Sequence, residues 1–192
     1  MLETVVNLII DKMLQAQIIE KEDRELYQYG IRNGIMMILN WIMVLGFGIC
    51  YRHCFEMLTF VAGYSILRSY AGGFHMPTHR SCFLFSIPIY MVSAWAVSNL
   101  HFSFYLFLSI LAWAVCTLYI VAPVEDSNKP LDSMEQKVYG KVEKFLTTIL
   151  SVLSLALYYL QLYRFSIAIL WAIALTAVLC LIGKGKDRKK VR

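Results

Sequence analysis

The stretch "SCFLFSIPIYMVSAWAVSNLHFSFYLFLSILAWAVCTLYIVAPV", residues 81–124, contains no Asp, Glu, Lys or Arg. A hydrocarbon core is crossed by about 20 apolar residues in a helix, so this run is too long for one span. The polar group Ser98-Asn99-Leu100-His101 is the natural turn within it. It predicts two helices, 82–99 and 103–124. An uncharged helical pair of this kind decides the fold class: an all-α, polytopic membrane bundle.

Four further apolar stretches flank the pair: 34–51, 57–67, 145–163 and 165–183. Segment 57–67 has eleven residues before Arg68, so it is either a short span or re-entrant. Arg164 separates the last two stretches. The expectation is about six transmembrane helices. Composition agrees, with 59% of residues hydrophobic, 16% charged and a mean hydropathy of +0.59. A soluble domain is closer to half apolar. One membrane-embedded domain over 1–192 is expected: a cytoplasmic, amphipathic segment 1–30, a bundle 31–183 and a basic tail 184–192.

In the first segment Val5, Val6, Ile9, Ile10, Met13 and Leu14 recur at helical spacing, while Asn7, Asp11, Lys12 and Gln15 take other faces. An amphipathic helix over 4–19 follows. It lies along the bilayer surface or packs on the rest of the protein. Glu3 and Asp11 argue against a signal peptide.

Charge bias orients the bundle. The tail "GKGKDRKKVR" holds six Lys/Arg and one Asp. Placing it in the cytoplasm and counting back through six spans makes 125–144 a cytoplasmic loop and puts 16 of the 18 basic residues on that side, leaving Arg52 and Arg164 outside. A multi-pass cell-membrane protein with both termini cytoplasmic is expected. The tail is a topology anchor or a docking site for anionic lipid or an acidic partner.

One stretch breaks the apolar pattern: "RSYAGGFHMPTHRSCF", residues 68–83. By the same count it is cytoplasmic. Gly72 and Gly73 allow backbone conformations closed to other residues. Pro77 interrupts a helix or begins one. The chain then turns steadily apolar, so Cys82 falls near a helix N-terminus, where backbone N–H groups and the helix dipole favour a thiolate. Arg80 acts in the same direction. The other cysteines, Cys50, Cys54, Cys116 and Cys180, form no CxxC pair and lack this setting.

Two histidines are candidates for the base of such a thiol. His75 is seven residues before Cys82, the same helical face but about 10.5 Å away along a straight helix, so pairing requires a turn between them. His79 is three residues before Cys82 and neighbours it if the helix already runs there. Spacing alone does not choose. His75, His79 and Cys82 also spell H-x3-H-x2-C, conceivable as metal ligands given a fourth. A merely polar loop is the third reading.

The stretch resembles the signature of the AgrB (accessory gene regulator B) family of membrane cysteine endopeptidases in Gram-positive quorum sensing. There Gly-Gly-x-His is followed by a cysteine seven residues after the histidine, and Gly72, Gly73, His75 and Cys82 match in order and spacing. "APVEDSNKP" (Ala122 to Pro130), "YGI" at 29–31, the amphipathic start and the basic tail are also similar to that family. Met76 departs from it, a small residue being usual there. The resemblance implies Cys82 as nucleophile and His75 as base, and demotes His79. It implies a substrate, a short propeptide with an amphipathic leader and an acidic C-terminal tail, cut before that tail.

On that resemblance, cleavage leaves a thioester on Cys82. A cysteine or serine inside the propeptide then attacks it to close a thiolactone or lactone. N–H groups at Gly72–Gly73 or at the helix start are candidates for stabilising the oxyanion. Arg68, Arg80 and Lys129 are candidate contacts for the acidic tail, with Lys137, Lys141, Lys144 and the C-terminal cluster also available. No third catalytic residue is assigned among Glu25, Gln28 and Asn33. The resemblance also implies a homodimer in contact with membrane lipid. No cofactor, metal or nucleic acid is expected.

Rival readings are a small membrane transporter or permease subunit, and a structural scaffold. A transporter wants polar groups in mid-membrane, and Asn40 is the clearest one here.

Overall fold

The computed structural model describes residues 2–74, 79–124 and 132–190, apart from the side chains of Leu2, Asn33, His79, Arg80, Cys82, Ser133 and residues 186–190. Helix is the only regular structure among them. Seven helices follow in order: α1 (Leu2–Gln15), α2 (Arg24–Cys50), α3 (Cys54–Ala71), α4 (His79–Asn99), α5 (Phe104–Val121), α6 (Ser133–Tyr159) and α7 (Tyr163–Lys190). The all-α membrane bundle expected from the sequence is what forms. Helices in Arg24–Cys50, Phe104–Val121, Met134–Tyr159 and Tyr163–Gly185 are long and apolar enough to cross a membrane. The apolar part of α4, Phe83–Asn99, is shorter. Segment 57–67 lies within α3, an unbroken helix of 18 residues.

The turn at 98–101 falls where expected, since α4 ends at Asn99 and α5 begins at Phe104. The fifth stretch needs correction. It was expected as a loop over 125–144 and a span over 145–163, yet α6 starts at Ser133. The start signal is Asp132-Ser133-Met134-Glu135. The Asp132 N–H donates to Glu135 Oε2 at 3.2 Å, and the Gln136 N–H to Asp132 O at 2.8 Å, a capping-box arrangement. The helix also ends earlier, at Tyr159, and turns through Gln161 with φ 62°. Arg164 therefore stands in the first turn of α7 rather than between helices.

The chain forms two compact units, Met1–Met43 and Val44–Arg192. In the first, α1 packs its apolar face on the start of α2. Val6, Ile10 and Ile19 are buried, and Met13, Leu14, Ile31 and Ile35 close over them. Polar pairs run alongside: Arg32 to Glu3 at 2.7 Å, Gln28 to Asn7 at 3.0 Å and Arg24 to Asp11 at 3.0 Å. Each helix steps by four residues while the numbering runs in opposite directions, so the ladder fixes an antiparallel hairpin.

In the second unit α7 is the centre, packed by α3, α5, α6 and α4. Of its span 67% is buried, against 22% for α5 and 17% for α6. Ala168, Ala172, Ala174 and Ala177 give it a slim surface that lets neighbours approach. A Cβ on Gly63 of α3 would meet the Ala172 Cβ at 3.6 Å. Polar pins join the helices where apolar packing gives no register. Ser154 Oγ donates to Ser166 O at 2.9 Å while Ser166 Oγ donates to Ser154 O at 2.8 Å, and Trp171 Nε1 donates to Ser93 Oγ at 2.9 Å.

Candidate active site

The junction after α3 is built from three glycines and the backbone of three helices. Gly72 and Gly73 have φ of 65° and 107°, which L side chains rarely adopt, and α3 stops there. The Gly72 N–H closes on Arg68 O at 3.3 Å. The chain leaving α5 then pairs with it as a single parallel bridge, Gly72 to Val124. Val124 N–H donates to Ala71 O at 2.9 Å and Gly73 N–H to Val124 O at 3.3 Å.

On the other side the Phe74 N–H donates to Leu179 O of α7 at 3.0 Å. Gly183, one turn on, lets α7 lie against this turn, for its Cβ would stand 2.8 Å from Gly73 C. Arg68 locks the loop from within: its guanidinium donates to the carbonyls of both Gly72 and Phe74. The buried Cys180 thiol is 3.6 Å from Ala71 O and 3.8 Å from Gly72 O. The Phe74 ring meets Phe85 of α4 edge-on at 5.8 Å.

Of the expected site residues, Gly72, Gly73 and Arg68 form this junction. Both glycine amides are donated to protein carbonyls, so in this arrangement they build the turn and do not face an oxyanion. Arg68 likewise spends its guanidinium on the turn. Cys82 is the fourth residue of α4 and His79 the first. The helix does run through His79, which meets the backbone condition for His79 and Cys82 to be neighbours. His75, Pro77 and Lys129 lie outside the described residues, as do the side chains of His79, Arg80 and Cys82. The pairing of Cys82 with either histidine, and the H-x3-H-x2-C set, lie outside them as well. Gln28 is held by Asn7 in the α1–α2 ladder, and Glu25 is exposed.

Sequence reasoning missed Gly183, Val124, Cys180 and, above all, Glu143. It placed Glu143 in a loop. The structure puts it inside α6, fully buried, with Oε1 accepting from Thr147 Oγ1 at 2.7 Å. Oε2 has no hydrogen-bond partner among the described residues. The available signal was Glu143-x3-Thr147 on the helical face that continues through Leu146 and Leu150, both packed on the core. The basic residues Lys137, Lys141 and Lys144 are exposed and recur at i, i+4, i+7, so they form one stripe on α6 rather than a loop.

Comparison with known proteins gives a consistent picture. The family model described as "AgrB: Accessory gene regulator B" matches residues 3–181. "Putative AgrB-like protein 2" of Clostridium perfringens (strain 13 / Type A) is 32% identical over 171 residues, 83% of this chain and 79% of that protein. "Putative AgrB-like protein" of C. perfringens (strain SM101 / Type A) is 31% identical over the same shares of the two chains. One from Listeria monocytogenes serotype 4a is 21% identical over 133 residues, 68% of this chain and 65% of that protein. No solved structure matches.

Proposed function

The chain belongs to the accessory gene regulator B family, and from that premise we propose that it is a membrane cysteine endopeptidase that trims and cyclises a quorum-sensing propeptide. Membership supports a role in quorum-sensing peptide processing. The observation that carries the finer reading is Gly72-Gly73-x-His75 with Cys82 seven residues on, the cysteine standing in the first turn of α4.

In the proposed reaction the Cys82 thiolate adds to the scissile carbonyl. Protonated His75 passes its proton to the departing amine as the C–N bond breaks, leaving a thioester on Cys82. A thiol or hydroxyl inside the propeptide gives its proton to the now neutral His75, adds to the thioester and expels the Cys82 thiolate, which closes the ring. Exchange of one thioester for another is nearly balanced, so the activated bond survives into the product. With the glycine amides occupied, the N–H groups opening α4 are the fitting oxyanion donors. Embedding the site in a bundle keeps water from the thioester. The stripe Lys137, Lys141 and Lys144, with Arg80 and Lys129, suits an acidic tail.

The test is a propeptide lacking its internal nucleophile. Its cleavage should halt at an acyl-enzyme, visible by intact mass as the protein plus the N-terminal fragment, and removable by hydroxylamine. Cys82→Ala should abolish the adduct and all cleavage without disturbing membrane insertion. Clean cutting by Cys82→Ala would sink the reading, and a nucleophile-free propeptide cut without adduct would point to direct attack by water.

A further inference from the structure

The end of the bundle away from the glycine turn holds a cavity. The α4–α5 and α6–α7 turns meet there and enclose about 170 Å³ between Phe102, Tyr158, Tyr163 and Ile167, with the exposed His101 at the edge. The walls are held from behind. Tyr158 Oη donates to Phe102 O at 3.2 Å, and its ring packs on the buried Phe107 at 4.7 Å and edge-on to Tyr163 at 5.1 Å. Aromatic rings commonly gather at membrane interfaces, but here three of them enclose a space. A water occupies about 30 Å³ in the liquid, so the space takes about five or six atoms of that size. That suits a small headgroup and is too little for an acyl chain.

The rim is cationic. Arg164 precedes Ile167 by three residues, so the two share a face of α7, and Arg164 is exposed. The ladder of α7 starts with the Ser166 N–H on Leu162 O at 3.1 Å. The amides before it open the helix at this rim and favour an anion in the same direction as Arg164. His101 Nδ1 lies 3.1 Å from Asn99 O; donating there, it leaves Nε2 to accept a hydrogen bond. No described carboxylate of this unit answers the arginine. Glu56 is paired with His53 at 3.3 Å, while Asp132, Glu135 and Glu143 stand at the start or in the first half of α6, at the glycine-turn end.

We propose that this cavity is a phospholipid site, which holds the phosphate of an anionic lipid on Arg164 and its uncharged, hydroxyl-bearing headgroup between Phe102, Tyr158 and Tyr163. The occupant is a lipid because of where the cavity lies. It sits at the ends of α5, α6 and α7, whose spans are long and apolar enough to cross a membrane, and so opens at headgroup depth. Tyr159, Leu160 and Leu162 are exposed beside it and offer the acyl chains a surface. Headgroup hydroxyls find His101 Nε2 and the Tyr163 hydroxyl, and the rings pack on the carbons between them. Aromatic walls also suit a quaternary ammonium, but choline would stand beside Arg164 with no carboxylate to offset the repulsion. The proposal is independent of the catalytic reading of Cys82.

The experiment follows thermal unfolding of the full chain in detergent as phosphatidylglycerol is added. Phosphatidylserine and phosphatidylcholine are the comparison lipids, and glycerol 3-phosphate is the soluble probe. A lipid bound to the folded state raises Tm as its concentration passes Kd. Phosphatidylglycerol should give the tightest saturable shift, phosphatidylserine a weaker one and phosphatidylcholine the weakest. Arg164→Gln and His101→Ala, both at exposed positions, should keep the lipid-free Tm. Each should raise the half-saturating phosphatidylglycerol concentration at least about fivefold, the worth of one hydrogen bond. Should one of them fail to fold, the other decides. Arg52→Gln is the control, because Arg52 stands at the same end of the bundle in the α2–α3 turn, outside the cavity. It should leave the midpoint where it is. An equal loss in Arg52→Gln overturns the site in favour of general surface charge. Affinity unchanged in both Arg164→Gln and His101→Ala overturns it too, as does phosphatidylcholine binding as tightly as phosphatidylglycerol. Glycerol 3-phosphate matching the lipid's affinity would overturn the assignment to lipid.

Discussion

A Cβ placed on Gly183 would stand 2.7 Å from the backbone nitrogen of Phe74. Both the glycine and the atom it makes room for belong to backbone that is already bonded, so neither side can swing aside. Gly183→Ala should push α7 off the turn, weaken the Phe74 to Leu179 hydrogen bond, and cost about 1–3 kcal/mol as overpacking. Propeptide cleavage should fall with it. Thermal unfolding in detergent together with a cleavage assay checks this; an alanine variant of normal stability and activity would show that the contact is loose.

Arg68 serves two carbonyls with one planar fork. Arg68→Lys keeps the charge but loses the paired geometry, and Arg68→Met loses both donors. Each partly buried carbonyl left without a donor should cost about 1–3 kcal/mol. The lysine variant should be nearly as impaired in cleavage as the methionine variant. Full activity in Arg68→Lys would mean that charge alone is used, as a contact for an acidic tail would require.

Ser154 and Ser166 exchange hydroxyl-to-carbonyl bonds between α6 and α7, away from the glycine turn. Either alanine substitution should cost about 0.6 kcal/mol, typical of such bonds within membranes. The double variant should cost less than the sum if the two bonds support each other. Cleavage at a temperature well below unfolding should be unchanged, which makes the pair a control for fold against site. A strict sum of the two costs would show independent bonds.

The Lys137, Lys141 and Lys144 stripe yields a salt-dependent expectation. Replacing all three with Gln should raise KM several-fold at low ionic strength. The difference from the parent should vanish near 1 M salt, where the screening length is about 3 Å. A change confined to kcat, or one indifferent to salt, would separate the stripe from substrate capture.

Most of the helical plan was legible because lipid imposes a simple code. The uncharged run 81–124 and the turn at Ser98–His101 admit few foldings, and the apolar period of α1 is plain. The start of α6 was hidden for the opposite reason. Glu135, Lys137, Lys141, Glu143 and Lys144 read as a solvated loop when charge is counted, although Asp132 and Glu135 form a capping pair. The inward direction of Glu143 depends on which face α3 and α7 cover, a fact of tertiary packing. Gly72 and Gly73 announced a turn, but not that their amides would be claimed by Arg68 O and Val124 O. The first is the i−4 carbonyl of an ordinary helix end, but Val124 lies beyond α5, and no local pattern links it to Gly73.

The buried position of α7 also bears on how the molecule is made. Within the second unit, α3, α5 and α6 leave the ribosome before the helix they all lean on, and until it arrives each can only wait in lipid with its inner face uncovered. The carbonyl of Leu179 and the gap at Gly183, which hold the glycine turn in shape, come long after that turn in the chain. A nascent chain thus carries Gly72, Gly73 and Phe74 without the backbone that shapes their turn until α7 has been made.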